Sequence, residues 1–357
     1  SIRPFVEHRR TALPGDAHVT EFRITSINVE TKKQVSAHYP NLPAVRMNDT
    51  PIDGNRAWWD DDSKTVYFAE IERGEKTINL VEFNTENGNT STLFSVNTKD
   101  GYLELGSNVY TPTSLVHLPE TDELIWYSER DGYAHLYLYD LETGKLKRQL
   151  TKGNWIIRDV LGVDKKNREV FIARGEVNGI IDPYYRQIAR VNLDNGKMKE
   201  LSNDDYDHFV AQDGDISVFA YSSINGEDAK LIRGLSPTGN FYVVTEQRIN
   251  KPSTTYLRDR NGKEVLIIEK EDNSRLPKDI RRPEPFKTIA ADGKTVISGT
   301  LFRPTNFSAQ KDYPIIDFIY GGPQVSMVPN TFSEGNALTA QAVAELGFMV
   351  VTIDGRG

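Results

Sequence analysis

From Ser1 to about Arg282 the chain alternates short runs of apolar and β-branched residues with clusters of turn formers, the pattern of β-strands rather than helices. One turn recurs. It reads NVETKK (28–33), NTENGN (84–89), DLETGK (140–145), NLDNGK (192–197) and DRNGK (259–263), with apolar or β-branched residues on both sides. Asn-Gly and Thr-Gly-Lys at such positions are hairpin turns, because Gly or Asn must take a positive φ. A second piece precedes it in most units: WWDDDSKTVYFAE (58–70), ETDELIWYSE (120–129), KKNREVFIARGE (165–176) and DGDISVFAYSS (213–223). With Tyr67, Trp126, Phe171 and Phe219 taken as equivalent, the spacings are 59, 45 and 48 residues. Two hairpins in each unit make four strands, and that period is the signature of propeller blades. A β-sandwich would not repeat the same pair of turns. Four units are clear and parts of one or two more are present, so the array is expected to continue before Ser1.

Near Arg281 the pattern changes. RRPEP (281–285) reads as a connector, and FKTIAADGKTVISGTLFRP (286–304) as a hairpin turning at Asp292-Gly293. Ile315, Ile316, Phe318 and Ile319 then form a nearly continuous apolar run, as expected of a strand covered on both faces of a parallel sheet. Gly321, Gly322 and Pro323 stop it. Ser333 can cap a helix with Glu334 in its first turn, Leu338, Ala342 and Leu346 mark its buried stripe, and Gly347 ends it. A second apolar run, Phe348 to Ile353, completes a βαβ unit with parallel strands. Tyr320 and Asp354 therefore fall at the carboxyl edge, where open α/β sheets place ligands and chemistry. The expected fold is mainly β: a β-propeller of four-stranded blades over 1–282, followed over 283–357 by the opening βαβ part of an α/β domain.

A length of 357 residues suits two or so domains, and the 16 Tyr and 15 Phe fit a β-rich chain. The net charge of -8 argues against nucleic acid and anionic membranes, which need a basic face. It suits cationic ligands such as peptide amino termini, and equally simple solubility. No stretch approaches the roughly 18 apolar residues of a membrane span. The lack of Cys excludes disulfides, zinc-thiolate sites and a cysteine nucleophile, and leaves the compartment open. Asp60, Asp61 and Asp62, and likewise Asp204, Asp205 and Asp207 beside His208, have the composition of cation sites. Both groups sit where turns are expected, and the turn reading is preferred. No HExxH or EF-hand spacing occurs, and neither a metal nor a cofactor is expected.

A strand ending in Tyr-Gly-Gly-Pro suggests acyl transfer, yet no GxSxG nucleophile elbow is present and all six His lie in the propeller region. The order Ser, Asp or Glu, His found in α/β-hydrolases would put the whole triad beyond Gly357. SERDGYAHLYLYDLETG (128–144), LTKGNW (150–155), YPIIDFIYGGPQV (313–325) and VTIDGRG (351–357), in this order and spacing, resemble the dipeptidyl peptidase IV branch of the prolyl oligopeptidase family.

The resemblance runs over nearly the whole chain. It implies an eight-bladed propeller joined to an α/β-hydrolase domain, serine peptidase chemistry, and removal of dipeptides after Pro or Ala from peptides with free amino termini. It implies that Tyr320 belongs to the oxyanion hole, and the chemistry agrees: a phenol, protonated at neutral pH, can donate to charge that develops in the transition state. It implies further that Gly321 and Gly322 let the backbone turn close to substrate, that Asp354 and Arg356 orient the loop after the second strand, and that Tyr110 faces the substrate pocket. The family's amine-binding glutamates and catalytic triad would lie outside these 357 residues, which alone should be inactive. A homodimer is a further expectation. A non-catalytic propeller interaction protein, or an acylaminoacyl- or oligopeptidase on the same scaffold, are the alternatives.

Overall fold

Short β-branched runs punctuated by turn formers give a fold made almost wholly of strands. The computed structural model describes residues 13, 15–44, 50–52, 54–106, 114–177, 182–211, 234–320, 328–332 and 339–355. It opens with two small antiparallel pairs, β1 (Thr20–Phe22) with β4 (Leu42–Ala44) and β2 (Thr25–Ile27) with β3 (Gln34–Ser36). Four antiparallel, four-stranded meanders follow. The first is β5 (Ala57–Trp59), β6 (Thr65–Ile71), β7 (Thr77–Asn84) and β8 (Thr90–Asn97). The second is β9 (Val116–Leu118), β10 (Glu123–Ser128), β11 (His135–Asp140) and β12 (Leu146–Gln149). The third is β13 (Ile156–Asp164), β14 (Glu169–Gly175), β15 (Gln187–Asn192) and β16 (Met198–Glu200). The fourth is β17 (Asp207–Phe209), β18 (Phe241–Arg248), β19 (Lys251–Asp259) and β20 (Glu264–Lys270).

The recurrent turns fall where the repeat predicts. Residues 84–89, 140–145, 192–197 and 259–263 each join the third strand of a sheet to the fourth, and 28–33 joins β2 to β3. Tyr67, Trp126 and Phe171 all lie on second strands. The fourth sheet departs from the expected spacing, because its second strand is β18, and 213–223 with Phe219 lies outside the described residues. Gly144 shows why this turn carries glycine. Its φ is +64°, and a Cβ would stand 2.3 Å from the carbonyl oxygen of Leu93 on the preceding sheet. Gly262 repeats the arrangement, with φ +87° and a Cβ position 2.7 Å from the Leu201 carbonyl oxygen. Positive φ and close backbone approach are both demanded at one residue.

Two compact units result, one built on Ser1–Gly153 and the other on Asn154–Asp213 with Lys230–Gly357. In the first, strand alternation sends Phe68, Val81 and Phe83 to one face, against Ala37 and Leu42. Tyr67, Ala69, Ile78 and Leu80 go to the other face, against Leu124, Trp126, Tyr137 and Tyr139 of the second sheet. Phe94 stacks on Tyr139 at 3.8 Å and meets Trp126 edge-on at 5.0 Å. Such aromatic pairs add about 0.5–1.5 kcal/mol each to simple burial. In the second unit Leu161, Phe171, Ala173 and Ile188 of the third sheet pack with Leu235, Tyr242 and Val244 around the fourth.

The second unit ends in a mixed sheet of β21 (Glu284–Ile289), β22 (Val296–Phe302), β23 (Ile315–Phe318) and β24 (Met349–Ile353), in the order β21-β22-β24-β23. β21 and β22 form the expected hairpin, with the Asp292 carboxylate accepting from the backbone N–H groups of Lys294 and Thr295 at 3.0 and 2.8 Å. β22 runs antiparallel to β24, and β23 runs parallel to it after a crossover that contains the helix Thr339–Ala344. Within these 357 residues β23 is the edge strand of the sheet and its residues are exposed. One expectation is corrected here. The helix buries Ala340 and Ala344 against Phe302 and Val350, whereas Ala342 and Leu346 face outward. Val343 and Phe348 pack against the same cluster. Ser333, Glu334 and Leu338 lie outside the described residues.

Candidate active site

The parallel pair is in register from Ile315 opposite Met349 to Phe318 opposite Thr352. Tyr320 and Asp354 each follow two residues later, so both emerge at the carboxyl edge of adjacent strands. Tyr320 is exposed, at 51%. Asp354 is buried, at 8%, and its backbone N–H donates to the Ser298 carbonyl on β22 at 3.2 Å. Gly321, Gly322, Arg356 and Tyr110 lie outside the described residues.

A loop of the third sheet, residues 182–186 (DPYYR), joins β14 to β15 and brings Tyr184 within electrostatic reach of Asp354. Its conformation is closed by local hydrogen bonds: Tyr184 N–H to Asp182 Oδ1 at 2.9 Å, Tyr185 N–H to the Asp182 carbonyl at 3.1 Å, and Glu176 N–H to the Pro183 carbonyl at 2.9 Å. Arg186 anchors the loop's end. Its backbone N–H and Nε donate to Asp207 Oδ1 at 2.7 and 2.9 Å, and its Nη2 donates to Oδ2 at 2.7 Å. Gln247 Nε2 adds a fourth bond to Asp207, at 2.7 Å. Such a fork fixes direction as well as distance.

Electrostatics follow from this geometry. Burial raises the pKa of the Tyr184 hydroxyl, and hydrogen bonding to the Asp354 carboxylate, with its charge, raises it further. The phenol therefore stays protonated at neutral pH. Burial, then the Asp182 charge, pushes the Tyr185 hydroxyl up to about 12. Burial likewise raises Asp182, opposed by the Tyr184 backbone N–H and by Lys287 of β21. For Asp207 burial works upward, but the charge and hydrogen bonds of Arg186 outweigh it and hold the carboxyl below its usual range.

The two acidic clusters resolve differently. Asp62 is a turn residue, its Oδ1 accepting from the backbone N–H groups of Lys64 and Thr65. Asp204 also serves a turn, accepting from Tyr206 N–H at 3.1 Å and facing His208 Nε2 at 2.9 Å. Asp207 is not a turn residue: it lies on β17, fully buried, with its charge neutralised by Arg186. Among the described residues no group of three or more His, Cys, Asp or Glu could hold a metal. Asp182, Tyr184 and Arg186 escape a reading of the sequence. The available signal is two adjacent tyrosines between strands of one sheet, where a plain surface loop has no need of them.

These features define a class, an array of four-stranded antiparallel blades followed by a mixed sheet with an open carboxyl edge. The family is narrower. Residues 13–226 match the dipeptidyl peptidase IV (DPP IV) N-terminal region, and the chain belongs to that family. It is 21% identical over 374 residues to dipeptidyl peptidase 4 of Trichophyton equinum, covering 99% of this chain and 44% of that protein. A protein of Arthroderma otae assigned as dipeptidyl-aminopeptidase B is 28% identical over 230 residues, 64% of this chain and 22% of that one. The solved structure of Porphyromonas gingivalis dipeptidyl peptidase 4 is similar with a TM-score of 0.65 at 18% identity, covering 94% of this chain and 41% of that one. A Bacteroides ovatus structure assigned to dipeptidyl aminopeptidase IV reaches 0.70 at 22% identity, covering 95% and 49%. The chain thus spans less than half the length of these relatives, and the structural likeness speaks for the fold. No described helix is long and apolar enough to cross a membrane.

Proposed function

We propose that the full-length protein is a serine-type dipeptidyl aminopeptidase that releases Xaa-Pro or Xaa-Ala from peptides with free amino termini. Residues 1–282 form its propeller domain and 283–357 begin its α/β-hydrolase domain. The observation that carries this reading is the register that brings Tyr320 and Asp354 to one carboxyl edge, in a chain of this family. A serine outside these 357 residues attacks the scissile carbonyl, its proton passing to a histidine base, and the Tyr320 hydroxyl donates to the oxyanion that forms. That donor acts where charge appears only in the transition state, so it lowers the barrier rather than tightening ground-state binding. Asp354 with Arg356 orients the turn beyond β24, Gly321 and Gly322 leave room for the substrate, and Tyr110 lines its pocket. The propeller restricts entry to short or unstructured peptide ends. Without the serine and its base, these residues alone are inactive.

The test measures chromophore release by the full-length polypeptide from an Xaa-Pro conjugate with a free amino terminus and from its N-acylated form, in wild type and Tyr320→Phe. Cleavage of the free form only is expected. Loss of the phenol donor should lower kcat about 10²- to 10³-fold, the usual consequence of removing one oxyanion-hole donor. Cleavage of the acylated form would instead indicate an acylaminoacyl- or oligopeptidase. No cleavage by folded protein would indicate a non-catalytic interaction protein.

A further inference from the structure

We infer that β20 is a surface on which a second copy of this chain pairs, edge to edge and antiparallel, around a twofold axis at Ile267. The pairing stands whether or not the protein is a peptidase.

The strand is unlike its equivalents in the other meanders. β12 and β16 close their sheets with four and three residues and carry Lys147, Arg148 and Lys199, and short, basic edges discourage further pairing. β8 is longer, but its Leu93 and Phe94 are drawn against the core. β20 has seven residues, all exposed, and Val265, Leu266, Ile267 and Ile268 form an unbroken apolar run at 42–49% exposure. Among the described residues β19 lies along one side of it and no strand lies along the other. Each meander stops at four strands and packs on its neighbours through its faces. Further sheets of the same polypeptide would therefore cover faces and leave this edge open.

The charges choose the partner. Residues 263–271 read KEVLIIEKE. Laid antiparallel on itself with Ile267 at the axis, this stretch sets Glu264 opposite Lys270 and Lys263 opposite Glu271, and the symmetry repeats both pairs. Leu266 then faces Ile268, and Ile267 faces its own copy. A slip of one residue in one direction puts Lys263 against Lys270 and Glu264 against Glu269; in the other it puts Glu264 against Glu271. Opposite charges directly across a ladder stabilise it and like charges do the reverse, so the first register is selected. Among the described residues Glu264 and Lys270 form no ion pair of their own. The Glu271 carboxylate is already fixed at the strand's end, its Oε2 accepting from Ser253 N–H and Oγ at 2.9 and 2.7 Å. The register of β20 on β19 slips between Glu269 and Ile267 and again between Leu266 and Glu264, and such bulges sharpen a strand's twist. A twofold mate has the same twist, and a two-stranded ribbon accommodates it better than a wide sheet.

Sedimentation of the full-length polypeptide over a concentration series tests the pairing, in wild type, Glu264→Lys, Lys270→Glu and the double reversal. One strand edge is a small contact, so wild type should associate in the micromolar range. Either single reversal turns attraction into repulsion on both sides of the axis and should raise the dissociation constant about tenfold to a hundredfold. The double reversal restores opposite charges in the same register and should return it to within about threefold of wild type. Ile267→Lys sets two like charges together at the axis and should abolish association. A monomeric wild type, association that ignores the single reversals, or a double reversal that fails to rescue them would each overturn the assignment.

Discussion

Single residues in this protein are tuned mostly by burial. The Glu129 carboxyl is pushed up to about 7 from an ordinary 4.5, first by burial and further by the Glu104 carboxylate, against the lowering effect of backbone N–H groups and Arg130. The folded protein therefore keeps a proton that the unfolded chain releases between about pH 4.5 and 7. Stability falls as the pH rises through that window. Glu129→Gln should match wild type near pH 4 and exceed it at pH 8, by on the order of 1–3 kcal/mol, in urea unfolding. An unchanged difference between the two pH values would exclude this account. Asp207 behaves in the opposite sense. Its carboxyl is held low by Arg186, so its contribution is present above the ordinary 3.8 and is lost as the pH falls. Asp207→Asn removes a fully buried carboxylate from its ion pair with the partly exposed Arg186 and should destabilise by about 3 kcal/mol at neutral pH, with a smaller effect in acid.

At the scale of elements, the turn between third and fourth strands is both a hairpin signal and a packing device. Gly144 and Gly132 share a positive φ, of +64° and +85°, but only Gly144 has a neighbour within reach of a Cβ. Gly132→Ala should show the backbone penalty alone, roughly 1–2 kcal/mol. Gly144→Ala adds a clash with the Leu93 carbonyl and should be worse by at least about 1 kcal/mol. Thermal unfolding of the two variants separates the terms, and equal losses would mean that the close approach contributes nothing. The helix Thr339–Ala344 teaches the converse. An apolar stripe was read at Leu338, Ala342 and Leu346, yet the buried positions are Ala340 and Ala344, packed with Phe302 and Val350.

For the whole molecule, membership of the dipeptidyl peptidase IV N-terminal family and the four meanders agree with the repeat seen along the chain. The proposed activity belongs to this scale, since it needs groups from more of the polypeptide than these residues. If an amine-binding site of carboxylates governs specificity, acylating the substrate's amino terminus should reduce kcat/KM about a thousandfold or more. A buried site built for a hydrogen-bonding group rejects analogues that lack it. Comparable rates on both conjugates would remove the dipeptidyl assignment while leaving the propeller intact.

Turn chemistry and strand period act between residues a few positions apart, and so the sequence by itself determined the strands, the repeated hairpins and the 283–357 alternation of strand and helix. It also placed Tyr320 and Asp354 at strand ends, because an apolar run stops where polar residues and glycines begin. Only the tertiary structure decided which face of the helix is covered and which distant charges meet. Arg186, at the end of a loop of the third sheet, reaches Asp207 on the first strand of the fourth, and Tyr184 comes within electrostatic reach of Asp354. Such contacts depend on how sheets stack and where a loop is anchored, which no local pattern encodes. The reason is physical: hydrogen-bonded turns are settled by a residue's own φ and ψ, whereas burial and ion pairing are settled by whatever the rest of the chain brings alongside.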